Sequence, residues 1–275
     1  MRKAASVELM AGSFSQRHSL AGPPVGVLLR DEVPPGFRMF LIDLPYKSES
    51  DFDLFEMQAV ICRVLLVFPR PNGTPSYDCK KHIKECEWFY IFDIIEGLYK
   101  SVYEKTCHHN PGAQHAFTEG VNKALIENNI GWQLVNGQIV VRGDEPFEAT
   151  LKTAVSALEG DAKPTAAGHL RAAIRALSAR PKTNTSGAVA HATSAVECVL
   201  GEITGQAMTL GRYLDKHSSL FHPALRKGLD GLYGYASDEG ARHGREGTEP
   251  ARDEAEFVLA TCAAVCTLLT RKHFE

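Results

Sequence analysis

The chain has 275 residues, 44% of them apolar and 23% charged, proportions that exclude wholesale disorder and suit about two globular domains. A net charge of −3 and a pI near 6.4 give no global positive field, so any nucleic-acid site has to be local. No apolar run approaches the length that crosses a bilayer and the N-terminus lacks a signal-peptide core, while seven irregularly spaced cysteines fit a reducing cytosol better than a disulfide framework; the expectation is a cytoplasmic protein with no membrane partner.

Pro23, Pro24, Pro34 and Pro35 mark residues 21–35 as extended chain. A helical pattern begins near Gly36, and a stronger one from Asp51 puts Phe52, Phe55, Ala59, Cys62, Leu65 and Leu66 at spacings of three and four. Pro69, Pro71, Asn72-Gly73 and Pro75 then break the chain. Residues 77–103 read as the longest helix, apolar on most of its surface through Trp88, Phe89, Ile91, Phe92, Ile94, Ile95, Leu98 and Tyr99, hence central. Another helix covers 113–128. The period then changes: 132–135 and 138–141 flank Asn136-Gly137, whose tolerance of positive φ fits a type I′ turn, so a β-hairpin is expected over 132–141. A helix over 145–158 and the polar stretch 159–164 follow, the latter as the domain boundary.

Beyond it the pattern is helical throughout: 167–179, 185–203, 209–217, 223–235 and 250–270, the last with Phe257, Val258, Thr261, Ala264, Val265 and Leu268 in phase. The fold class expected is mainly α: a helical domain over 1–162 carrying one hairpin, and a helical bundle over 163–275.

The second half, through SAVECVLGEITG, TLGRYLDK, FHPALRKGLDGLYGYASDEGARHG and FVLATCAAVCTLL, resembles the HEPN domains at the C-termini of bacterial abortive-infection proteins; LYGYASDEGARHG is the most specific part. The first half, through FSQRHSL, ECEWFYIFDIIEGLY and GWQLVNGQIV, resembles the AbiJ-type N-terminal domain. The resemblance implies phage defence, RNA as partner, a homodimer formed through the C-terminal domain, and an effector that cuts or binds RNA. HEPN ribonucleases pair an Arg with a His four to six residues away. The His moves a proton at the 2′-hydroxyl or leaving oxygen and the Arg stabilises phosphate charge, without a metal.

In this chain the two are adjacent, as Arg242-His243, within a polar run also holding Asp238, Glu239 and Arg245, with Arg252 just beyond. On the resemblance, His243 and Arg242 are the catalytic candidates, and Asp238, Glu239, Arg245 and Arg252 the substrate-binding ones. The displaced arginine favours a domain that has lost catalysis and serves as an RNA-binding or dimerisation module; the structural alternative for the segment is a helix end where Arg and His cap carbonyls and Asp238 or Glu239 pairs with Arg242, and a protein-interaction scaffold without ligand is the third reading. Arg212 and His217 have the family's spacing, but a match of that kind arises readily by chance.

Cys79, His82 and Cys86, followed by Cys107, His108, His109 and His115, are residue types that bind zinc. The first three share a helical face with Phe89 and no Cys-x2-Cys knuckle accompanies them, so packing is the expectation and no metal or other cofactor is assigned. Cys262 and Cys266 read as core. The alanine-rich helix around His191 suits either a subunit interface or a core contact, and Arg171 with Arg175 forms a basic strip open to solvent or phosphate. No P-loop, HExxH or GxSxG motif occurs.

Overall fold

The computed structural model describes residues 29–44, 53–106, 110, 112–237 and 249–272. Among these the protein is mainly α, with one two-stranded antiparallel sheet, and it divides into two compact units, one ending at Gly131 and the other beginning at Trp132. No helix of the described residues is long and apolar enough to cross a membrane.

The first unit holds α1 (Pro35–Asp43), α2 (Leu54–Leu65), α3 (Pro75–Glu85), α4 (Trp88–Thr106) and α5 (Ala113–Glu127). Asp53 starts α2 with a reciprocal cap: its side chain accepts from Phe55 and Glu56 N–H, and Glu56 accepts from Asp53 N–H. The stretch expected as a single helix over 77–103 is two helices. Cys86 is extended at φ −70, ψ 155, and Arg38 of α1 donates to the carbonyls of Ile83 and Cys86. A tertiary guanidinium thus satisfies the carbonyls that helix termination leaves open. α4 is the core helix, with Ile91, Phe92, Ile94, Ile95 and Leu98 fully buried.

The buried face of α2 also differs from the periodic reading. Met57, Val60 and Ile61 point inward together with Cys62 of the expected stripe, while Phe55 is 70% exposed and Leu66, the left-handed cap after the helix, 89%; Phe52 lies outside the described residues. α2 packs on α4 at Gly97, where a Cβ would lie 2.7 Å from Val60 Cγ1.

The second unit opens with β1 (Trp132–Val135) and β2 (Gln138–Val141), paired Trp132 to Val141 and Leu134 to Ile139. Asn136 and Gly137 have φ of 49 and 80, as the expected hairpin turn requires. Trp132, Leu134, Ile139 and Val141 are buried, the alternation of a sheet with one covered face. Then come α6 (Glu145–Gly160), α7 (Pro164–Leu177), α8 (Thr185–Thr204), α9 (Leu210–Lys216), a short 3₁₀ turn (Ser218–Leu220), α10 (Pro223–Ser237) and α11 (Arg252–Arg271).

α8 packs against α7 and α11. Ala188, Ala192 and Ala195 of its small-residue face are fully buried inside the unit, so that face is a core contact here. On α11 the core face is Ala255, Leu259, Cys262, Ala263, Cys266 and Leu269. Of the expected stripe, Val258 and Val265 are buried with this face, whereas Phe257, 65% exposed, and Leu268, 38%, lie on a second apolar face.

Candidate functional site

The residues 238–245, with Asp238, Glu239, Arg242, His243 and Arg245, lie outside the described residues. What the structure gives is the stem from which they depart: the end of α10, at Ser237, and the start of α11, at Arg252.

One carboxylate serves both sides of that stem. Glu254 Oε2 accepts from the Tyr235 hydroxyl on α10 and from Ala251 N–H at the α11 N-terminus, each at 2.9 Å. Ala251 has no side-chain acceptor of its own, so Glu254 at the third helical position supplies the satisfaction of an open N–H. Burial, and behind it the Glu254 carboxylate, pushes the Tyr235 phenol up to about 12. The phenol is therefore a donor to Glu254 throughout the physiological range.

Arg252, the one candidate substrate-binding residue among the described ones, is held inward. Its Nη2 donates to the Leu177 carbonyl at the end of α7 at 3.2 Å, its guanidinium lies 5.6 Å from the Trp132 ring centre, and its Nε is 3.9 Å from Glu256. Its geometry is that of a positioning residue that fixes the α11 start against α7 and the hairpin. Beside it, Lys182 pairs with Glu249 at 3.0 Å, tying the chain just before α11 to the turn after α7.

The other sequence candidates are dispersed. Arg212 is exposed on α9, whereas His217 packs near Tyr213 with its Nε2 buried. Cys79 is buried with its thiol 3.9 Å from the Leu54 carbonyl, and Cys86 stands at the α3–α4 break beside Arg38. His115 pairs with Glu119 at 3.2 Å. Among the described residues no three ligand side chains converge as a metal would need; Cys107, His108 and His109 lie outside them. Burial pushes the Cys79 and Cys262 thiols up to about 12, which leaves them protonated and poor nucleophiles. Glu197 of α8 accepts from Leu210 N–H at 2.8 Å and so caps α9.

Sequence reasoning missed two groupings. His169 on α7 and His191 on α8 face each other, Nδ1 to Nδ1 3.4 Å, and burial, followed by His169 and Arg175, lowers the His191 pKa. A groove of 320 Å³ also lies between the hairpin, α6 and α7, with Lys152, Arg171 and Arg175 among its lining residues. The i, i+4 spacing of the two arginines was visible in the sequence; the facing lysine needed the fold.

A mainly helical chain of two compact units, whose polar Arg-His run connects two helices of the second, is the class of protein that these observations define. Residues 12–157 match the family AbiJ N-terminal domain 4, and the chain belongs to that family, which sets it in the context of abortive infection, the bacterial defence against phage. The match runs past Gly131 and takes in the hairpin and most of α6, so it ends later in the chain than the first packing unit does. No curated protein and no solved structure matches the chain.

Proposed function

We propose that this is a cytoplasmic phage-defence protein, with an AbiJ-like domain over 1–162 and a HEPN domain over 163–275 that cleaves RNA without a metal. His243 acts as acid and base, Arg242 stabilises the phosphate, and Asp238, Glu239, Arg245 and Arg252 bind substrate or hold the site. The observation that carries the reading is the run LYGYASDEGARHG, whose first part, Leu232 to Ser237, forms the end of α10 in a helical unit of a chain that belongs to an abortive-infection family. Arg252 takes the holding role, through the Leu177 carbonyl.

The reading includes a homodimer, since one Arg-His pair on an edge makes a shallow site and two facing pairs make a groove for RNA. An apolar groove of 790 Å³ between α10 and α11, lined by Leu225, Leu232, Phe257 and Leu268, supports this. Its ends differ in charge. Asp253 and Glu254 lie at one, and at the other Lys272 stands 5.8 Å from the ring of Phe221, which lines the groove. A second copy laid antiparallel sets acid against base at both ends, as an isologous interface demands.

The test is incubation of the purified chain with total RNA in EDTA. Cleavage that disappears in His243→Ala, with folding and dimer intact, is the expected result; a parent chain that leaves RNA whole under all conditions overturns the ribonuclease. The adjacency of Arg242 and His243 favours a second reading, a HEPN domain that binds RNA or dimerises without cutting. It predicts retention of RNA without products.

A further inference from the structure

The groove between the hairpin, α6 and α7 is built from residues that the cleavage reading does not use. Its floor is apolar, from Val140, Val155 and Ile174, and Asn136 of the turn stands at its rim. Lys152 reaches it from α6 and Arg175 from α7. Both are exposed, and among the described residues neither makes an ion pair or a hydrogen bond. Arg171, one turn before Arg175, also lines the groove and pairs with Glu159.

The only carboxylate in the lining, Glu148, is already engaged: it accepts from Gln133 Nε2 at 2.9 Å and Gly143 N–H at 2.8 Å, and Arg142 lies within its field. The positive charge in the groove is therefore uncompensated, in a chain whose net charge is −3. Two unpaired cations on different helices, facing one cleft, repel each other unless an anion sits between them. A volume of 320 Å³ is at the small end of ligand pockets, enough for one nucleotide. An apolar floor accepts the face of a base, amides at the rim meet its edges, and the cations take the phosphate.

We propose that this groove binds a nucleotide unit through its phosphate, with Lys152 and Arg175 as the phosphate ligands. That unit is either one nucleotide of an RNA strand or a free nucleotide, and the chemistry of the site is the same for both. The site does not depend on RNA cleavage by His243.

Binding of a fluorescein-labelled 12-nucleotide oligouridylate to the full chain, followed by anisotropy, tests it, with ATP and UMP as competitors. Lys152→Glu and Arg175→Glu should each weaken binding about tenfold and flatten its salt dependence. Lys80→Glu, an exposed lysine of α3 with the same change in charge, should stay within about twofold of the parent. Both groove variants should keep the parent's circular dichroism and melting temperature.

Competition by ATP or UMP at the oligonucleotide's own affinity identifies a free nucleotide as ligand, and its failure identifies a strand. The same measurements on His243→Ala should match the parent, so loss of cleavage and loss of this site are read separately. Absence of binding by oligonucleotide and nucleotide alike overturns the proposal. So does equal weakening by Lys80→Glu, or displacement of the oligonucleotide by poly-glutamate as readily as by unlabelled RNA.

Discussion

Glu254 shows how one side chain can serve both the end of one helix and the start of the next. It accepts from α10 through Tyr235 and from α11 through Ala251. Glu254→Ala should lower stability by about 1 kcal/mol, the usual cost of a lost helix cap, and Glu254→Gln, which can still accept both bonds, should recover most of it; urea denaturation of the three chains measures this. His191 gives a pH dependence. Its folded pKa is lowered, by burial first, then by His169 and Arg175. A histidine with a lowered folded pKa binds protons more readily unfolded, so its contribution is present above the unfolded value near 6.5 and is lost as pH falls through the folded value. The melting temperature should therefore drop between pH 7 and pH 5, and His191→Gln should make that drop shallower; an unchanged profile would remove the His pair from the account.

At the scale of the element, Gly97 sets how closely α2 and α4 approach. A methyl group there meets Val60 Cγ1 at 2.7 Å, and valine is stiff at χ1 inside a helix. Gly97→Ala gains up to about 1 kcal/mol of helix propensity and should still destabilise the chain, because overpacking costs about 1–3 kcal/mol; thermal melting decides the sign. The positions of most helices and the hairpin were legible in the sequence, because apolar periodicity marks the helices, Pro223 opens one and Asn136-Gly137 closes the turn; Pro75 and Pro164, read as a break and a boundary, also prove to open helices. The faces of α2 and α11 were legible only in part, through Cys62 and through Val258 and Val265. Both helices carry apolar residues on two sides, so the stripe through Phe55 matches a period of 3.6 as well as the one through Met57, Val60 and Ile61, and the partners α3 and α4 select between them. The break at Cys86 was invisible for a related reason: its cause is Arg38, far away in sequence.

For the whole molecule, the exposed stripe that misled the reading of α11 is the surface on which the proposed dimer rests. Phe257, 65% exposed, contributes little to the folded monomer, so Phe257→Glu should keep the parent's circular dichroism, lose only the part of the melting temperature that dimer association supplies, and shift the chain from dimer to monomer in light scattering; a variant that remains dimeric moves the interface elsewhere. The proposed site was only half legible in the sequence. The Arg-His run stands out by its residue types, but Arg252 reads as another free cation until the Leu177 carbonyl and the Trp132 ring are seen around it.

At Glu254 one side-chain bond joins the two helices, from the Tyr235 hydroxyl of α10 to the carboxylate on α11, while the Ala251 bond caps α11 itself. At the opposite end Lys272, just after α11, donates to the carbonyl of Leu220 in the 3₁₀ turn that precedes α10, at 2.8 Å. A chain nicked between Ser237 and Glu249 should keep both helices in place, because α11 packs on α6 and α8 and α10 packs on α8 and α9, and should report directly on what the intact link adds.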